Sequence, residues 1–151
     1  MLSVSSILNS KTIPFQTIEP DVLVLNAIQT LSQINLSYLV VMDNEKYLGI
    51  FSERDYTRNV LLKGKSSSNT TVQEVMSKNL PTVDITDTVE HCIRLMSNHG
   101  TRYLIVFEKN VFLGVITIHD VLRFIIANAD LNIDRNLANH LLNEDEGGKF
   151  Y

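Results

Sequence analysis

Apolar and polar positions along the chain spell out a short series of elements, and then spell it out again. Val24, Ala27, Ile28, Leu31 and Ile34 fall at steps of three and four, the spacing of one buried helix stripe, with Asp21 placed to cap its start. Tyr38 to Met42 is an unbroken apolar run of β-branched and aromatic type, which predicts a strand buried on both faces. Asp43-Asn44-Glu45-Lys46 reads as a turn, Tyr47 to Phe51 as a second strand and Glu53 to Leu62 as a second helix. Gly49 inside that strand predicts close approach by another stretch of backbone. The succession then returns. Val89, Cys92, Ile93 and Met96 form a stripe after Thr86 and Asp87. Tyr103 to Phe107 and Val111 to Ile116 flank a Glu108-Lys109-Asn110 turn, and Ile118 to Asn128 is helical.

Shorter pieces surround these series. Val4 to Leu8 predicts a helical turn opened by Ser3, and Pro14 favours extended chain around Thr12 and Ile13. Phe15 to Ile18 is a short extended piece, and Val72 to Met76 a short helix. Lys63 to Thr70, with three serines and one glycine, predicts a flexible connector. Past Asn128, Ile133, Leu137, Leu141 and Leu142 predict one more amphipathic helix, and Asn143 to Tyr151 a frayed end. The order is β-α-β-β-α, twice, a mixed α/β (α+β) fold.

The two series are copies. Gly49-Ile50-Phe51-Ser52-Glu53-Arg54-Asp55 returns 65 residues later as Gly114-Val115-Ile116-Thr117-Ile118-His119-Asp120. The register holds without a gap from Thr17 and Thr82, through Val24 and Val89 and Tyr38 and Tyr103, to Arg58 and Arg123. A repeat of this length means two copies of one structural unit. A unit of about 65 residues alone leaves much of its apolar surface wet, so the halves are expected to join in one module. The expected boundaries are 1–70 for the first copy with its N-terminal helix and connector, 71–130 for the second, and 131–151 for a C-terminal helix and tail.

Composition narrows the function. The 151 residues are 44% apolar and 20% charged, ordinary globular usage. A net charge of −4 argues against nucleic acid as a partner. Cys92 is the only cysteine, which excludes an intramolecular disulfide and fits a reducing compartment. The chain has no apolar run of the roughly 20 residues that span a bilayer, and no signal-peptide pattern, so no membrane and a cytoplasmic location are expected. His91, His99 and His140 lack metal-ligand spacing, and Cys92 lies on a buried stripe, unsuited to a nucleophile. With no phosphate-binding Gly-rich loop and no nucleophile elbow, the expectation is a protein that is not an enzyme and needs no metal.

Polar chemistry concentrates where each second strand meets its helix. Ser52-x-x-Asp55 and Thr117-x-x-Asp120 are capping-box patterns, the hydroxyl capping the helix and the carboxylate favouring its positive end. Recurrence after a glycine and a buried strand, at one spacing, also points to ligand binding, and a hydroxyl can serve both ends. A carboxylate can accept both hydroxyls of a ribose, in hydrogen bonds worth roughly 1.5–3 kcal/mol each. Free N–H groups at a helix start favour phosphate. Arg54 and Arg58 in the first copy, and His119 and Arg123 in the second, lie on or near that first turn, and Arg102 precedes the second copy's buried strand. His119, in the place of Arg54, would make the second site sensitive to pH near 6 to 7.

The buried strand pair, the Gly-x-x-(Ser/Thr)-x-x-Asp element and the 65-residue spacing resemble the CBS domain, named after cystathionine β-synthase. From Val4 to Ala129 the chain resembles a stand-alone tandem pair, or Bateman module. The resemblance implies two repeats packed through their sheets with pseudo-two-fold symmetry, and clefts between them that take adenine nucleotides. It implies Asp55 and Asp120 on the ribose diol, and Ser52 and Thr117 beside ribose and phosphate. Thr17 and Thr82 would line sugar and base, and Val40 and Ile105 the adenine. It also implies a homodimer formed through exposed helices, to which Val60, Leu61, Leu62, Leu122, Phe124, Ile125 and Ile126 would contribute. The expected function is a regulatory, non-catalytic sensor of adenine nucleotides that acts on a protein partner. AMP comes first, because few cations stand at each site, ahead of ADP, ATP, NAD or an S-adenosyl compound. The alternatives are a ligand-free structural or protein-interaction module and a nucleotide-cleaving enzyme.

Overall fold

Residues 2–11, 15–128 and 135–146 are described by the computed structural model of the chain. Along it run α1 (Val4–Ser10), β1 (Thr17–Ile18), α2 (Val24–Ile34), β2 (Tyr38–Asp43), β3 (Lys46–Ser52) and α3 (Glu53–Asp55), which continues as a π-helical stretch, Tyr56–Leu61. Then come α4 (Val72–Val75), β4 (Thr82–Asp84), α5 (Val89–His99), β5 (Tyr103–Glu108), β6 (Val111–Thr117), α6 (Ile118–Ala127) and α7 (Arg135–Glu146). The expectations for Thr12 to Pro14, for Ile133 and for the tail from residue 147 lie outside the described residues.

The chain forms two compact units, one of Phe15–Asn79 and one of Met1–Pro14 with Leu80–Tyr151. Each holds one three-stranded sheet, ordered β1-β2-β3 and β4-β5-β6. In each, the first strand runs parallel to the second and the second antiparallel to the third. The repeat persists in the pairing: Thr17 faces Val40 and Tyr38 faces Ser52, as Thr82 faces Ile105 and Tyr103 faces Thr117. Both hairpins slip by one residue at the same place, Val41/Met42 and Val106/Phe107.

Each unit has its own apolar cluster. Val24, Ala27 and Leu31 of α2 pack with Leu39, Val41 and Phe51, and Val89, Cys92, Ile93 and Met96 of α5 pack with Leu104, Val106 and Ile116. The α2 stripe is narrower than its spacing suggests. Ile34 stands in the last turn, just ahead of left-handed Asn35 (φ 54°), and is 36% exposed. Nor is Asp21 the cap. Leu23 holds that position, and the connector supplies the acceptors: the Val24 N–H donates to the Thr70 carbonyl at 2.9 Å and the Leu25 N–H to that of Ser67 at 3.0 Å. The Lys63 to Thr70 stretch is therefore fastened over the start of α2, with Thr70 buried, where composition suggested a free connector.

The short helices are exchanged between the copies. Val4 and Ile7 of α1 are buried in the second copy's cluster, and the α1 N–H groups of Val4 and Ser5 donate to Asp87 and Ile85 at 2.8 and 3.0 Å. Val72 and Val75 of α4 are buried in the first copy's cluster, and the N–H groups of Val72 and Gln73 donate to Val22 and Pro20 at 2.9 and 3.1 Å. Pro20 and Val22 are the first-copy counterparts of Ile85 and Asp87, so the two exchanges use matching acceptors. A helix of seven or four residues has little stability of its own and goes where its apolar side chains find cover. The units thus cut the chain near residues 15 and 80, where a linear division puts the break at 70. Helix α7 adds Leu141 to the second cluster.

Candidate functional site

Strand alternation assembles the expected site residues on one side of each sheet. Leu39, Val41 and Phe51 face the helices, so Tyr38, Val40, Ile50 and Ser52 face away, with Thr17 beside Val40. Tyr103, Ile105, Val115 and Thr117 share the equivalent face, with Thr82 beside Ile105. Thr17 and Thr82 are exposed, while Val40 and Ile105 are fully buried.

In the first copy β3 runs straight into α3. Ser52 is extended (φ −124°, ψ 166°), and its Oγ accepts the Asp55 N–H at 3.3 Å. The carboxylate answers: Oδ2 of Asp55 accepts the Ser52 N–H at 2.8 Å and the Ser52 Oγ–H at 3.0 Å. A third donor arrives from beyond the connector, the Ser77 Oγ–H on Oδ1 at 2.8 Å. Ser77 is itself pinned to β3 by an antiparallel bridge to Ile50, with bonds of 3.0 and 2.8 Å. Gly49 makes room for it, because a Cβ there would stand 2.6 Å from the Ser77 carbonyl oxygen. Asp55 ends 0% exposed. Burial raises its pKa, against the pull of these hydrogen bonds and of the Arg58 charge.

The second copy repeats the capping box but not its surroundings. Thr117 Oγ1 accepts the Asp120 N–H at 3.2 Å, and Oδ2 of Asp120 accepts the Thr117 N–H at 2.8 Å. Beside this box stands Lys11, which follows α1. Its ammonium is 2.8 Å from the same Oδ2 and donates to the Val115 carbonyl at 2.9 Å, the paired side chains being 17% and 8% exposed. No other hydrogen bond or ion pair reaches Asp120 among the described residues, which leaves Oδ1 uncommitted.

The cations divide. The Arg102 carbonyl accepts the Ile118 N–H at 2.9 Å, so Arg102 stands beside the start of α6. His119 and Arg123 are exposed on α6, and Arg58 is exposed and Arg54 half-buried on the first copy's helix. The apolar side chains expected at a dimer face divide too: Val60 and Phe124 belong to the cores, while Leu61, Leu62 and Ile126 are exposed. Lys11 and Ser77 were not legible as site residues. Lys11 falls on Met76 and Ser77 on Thr12 in the repeat, and only the exchange of short helices carries them to the aspartates. Among the described residues no group of three His, Cys, Asp or Glu is placed to hold a metal. No helix there is long and apolar enough to cross a membrane. Cys92 is fully buried, its thiol pKa pushed up to about 12 by burial and by the nearby Asp87 charge.

The family model of the CBS domain matches residues 4–62 and again 72–127. The chain is 28% identical over 108 residues to the CBS domain-containing protein CBSX3, mitochondrial, of Arabidopsis thaliana, covering 68% of this chain and 52% of that protein. Among solved structures it matches the CBS domain protein NE2398 at 33% identity and a TM-score of 0.77, over 83% of this chain and 99% of that one. It also matches a hexameric CBS-CP12 protein from bloom-forming cyanobacteria at 27% identity and a TM-score of 0.68, over 80% and 66% of the two chains. The chain thus spans about half the length of the Arabidopsis relative.

Proposed function

The chain belongs to the CBS domain family, as a tandem pair of its domains, and from that premise we propose that it is a regulatory module that senses an adenine nucleotide. One observation carries this reading. Asp120 is fixed by the Thr117 N–H at the start of a ten-residue helix, with Oδ1 uncommitted among the described residues, and Thr117 ends the strand whose outward face continues through Ile105 to Thr82. A vicinal diol offers two O–H donors to such a group. Phosphate would lie near the positive end of α6, where the Ile118 and Asp120 N–H groups are already engaged, so its counter-charges would come from Arg102, His119 and Arg123. In the first copy the corresponding set is Asp55, Ser52, Thr17, Val40, Arg54 and Arg58. AMP is favoured over ADP, ATP, NAD and S-adenosyl compounds because few cations stand at either helix start. The chain would act without catalysis, by holding one conformation in which a protein partner is recognised. The ligand can bias that equilibrium only by its differential affinity for the two states. Exposed Leu61, Leu62 and Ile126 support a homodimer, and one solved neighbour, the CBS-CP12 protein, is a hexamer.

A second reading, a ligand-free interaction module, is favoured by Asp55, whose carboxylate is spent entirely inside the fold. Thermal melting with AMP, ADP, ATP, NAD and S-adenosylmethionine decides between the two. A ligand at 100 times its dissociation constant adds about 2.7 kcal/mol. If none of the five raises the melting temperature, the sensor reading fails and the interaction module stands.

A further inference from the structure

We infer that the two copies are unequal as ligand sites, the first held shut by Ser77 and the second guarded by Lys11, which the ligand must displace. This rests on the nucleotide reading above. A vicinal diol gripping a carboxylate with both hydroxyls needs one vacant acceptor position on each oxygen, and each oxygen offers about two. On Asp55, Oδ2 is filled by the two donors of Ser52, and neither can leave without undoing the start of α3. Oδ1 is covered by Ser77, whose backbone is locked to β3 across Gly49, and the residue is 0% exposed. No diol reaches it while that bridge is intact.

On Asp120, Oδ1 takes no hydrogen bond among the described residues, and Oδ2 is filled by two donors of different kinds. The Thr117 N–H is backbone and fixed. Lys11 is an ammonium on a four-carbon stem, 17% exposed, and is the one donor that can withdraw. One ribose hydroxyl would take the open Oδ1 and the other would replace the ammonium on Oδ2. Because Lys11 directly follows α1, occupancy of the second copy would release the tie that holds the end of that helix to Asp120.

Calorimetry with adenosine isolates the competition, because adenosine offers the diol with no phosphate for the displaced ammonium to follow. Wild type should bind one nucleoside per chain. Lys11→Met should bind it about tenfold more tightly, the equivalent of one hydrogen bond to a charged group. Lys11→Gln, which keeps length but not charge, should fall between. The melting temperatures of the free variants verify folding. Two nucleosides per chain, or variants that bind no tighter than wild type, would overturn the inference while leaving the nucleotide reading in place. Absence of heat with adenosine and with AMP, in wild type and both variants, would remove the nucleotide reading itself and the inference with it.

Discussion

Truncating Asp55 to alanine should destabilise the protein by about 3 kcal/mol. The carboxylate accepts the Ser52 N–H, the Ser52 hydroxyl and the Ser77 hydroxyl, at 2.8, 3.0 and 2.8 Å. Losing the carboxylate half of the capping box costs about 1 kcal/mol, while the Ser52 hydroxyl still accepts the N–H of residue 55. A buried backbone N–H left without an acceptor adds about 1–3 kcal/mol, and Ser52 is only 2% exposed, so water gives it little relief. The hydroxyls can turn towards other acceptors, so they add less. Removal of a buried charge offsets part of the total, since burial disfavours the ionised form of Asp55. For a chain of this size each kcal/mol moves the melting temperature by about 2–4 °C, so the variant should melt roughly 6–12 °C lower. Asp55→Asn keeps an acceptor for the Ser52 N–H at nearly the same shape and should lose about 1 kcal/mol. Urea unfolding of the three proteins measures both differences. Asp55→Ala within about 0.5 kcal/mol of wild type, or an asparagine variant as damaged as the alanine one, would show that these contacts do not hold the β3–α3 junction.

Gly49→Ala should cost about 1–3 kcal/mol in urea unfolding, because a Cβ there lies 2.6 Å from the Ser77 carbonyl oxygen, a backbone atom that can retreat only by breaking its bridge to Ile50. Asp55 also sets a pH dependence. Its folded-state pKa lies above the unfolded value of 3.8, so its contribution is fully present below 3.8 and is lost as pH rises through the folded value. Stability of wild type relative to Asp55→Asn should therefore grow as pH falls from neutral towards 3.8, and a difference that shrinks would contradict this sign. Cys92, buried and with its thiol pushed up to about 12, should stay unreactive to a thiol-specific disulfide reagent in the native protein and titrate fully in urea.

Much of the architecture was legible in one dimension because it rests on local periodicity. The α5 stripe, the four long strands and the hairpin turns follow from spacing and side-chain type, and each lies within a residue or two of its expected bounds. Gly49 announced a close approach that Ser77 makes. The capping boxes at Ser52 and Thr117 were legible because all their atoms lie within four residues. The α2 cap was not, since Asp21 is a good capping type but the carbonyls of Ser67 and Thr70 reach Leu25 and Val24 first.

By itself the sequence determined that there are two copies of one unit, which elements each contains, and that a hydroxyl and an aspartate form a capping box where the third strand of each copy meets its helix. Those properties follow from contacts a few residues apart, and such contacts are written in residue order. Tertiary structure decided what surrounds each aspartate. Helices α1 and α4 are too short to stand alone, so the place they dock depends on apolar cover offered far along the chain, and docking takes each to the other's copy. That exchange sets Lys11 on Asp120 and Ser77 on Asp55, and so makes different environments from two copies of the same motif.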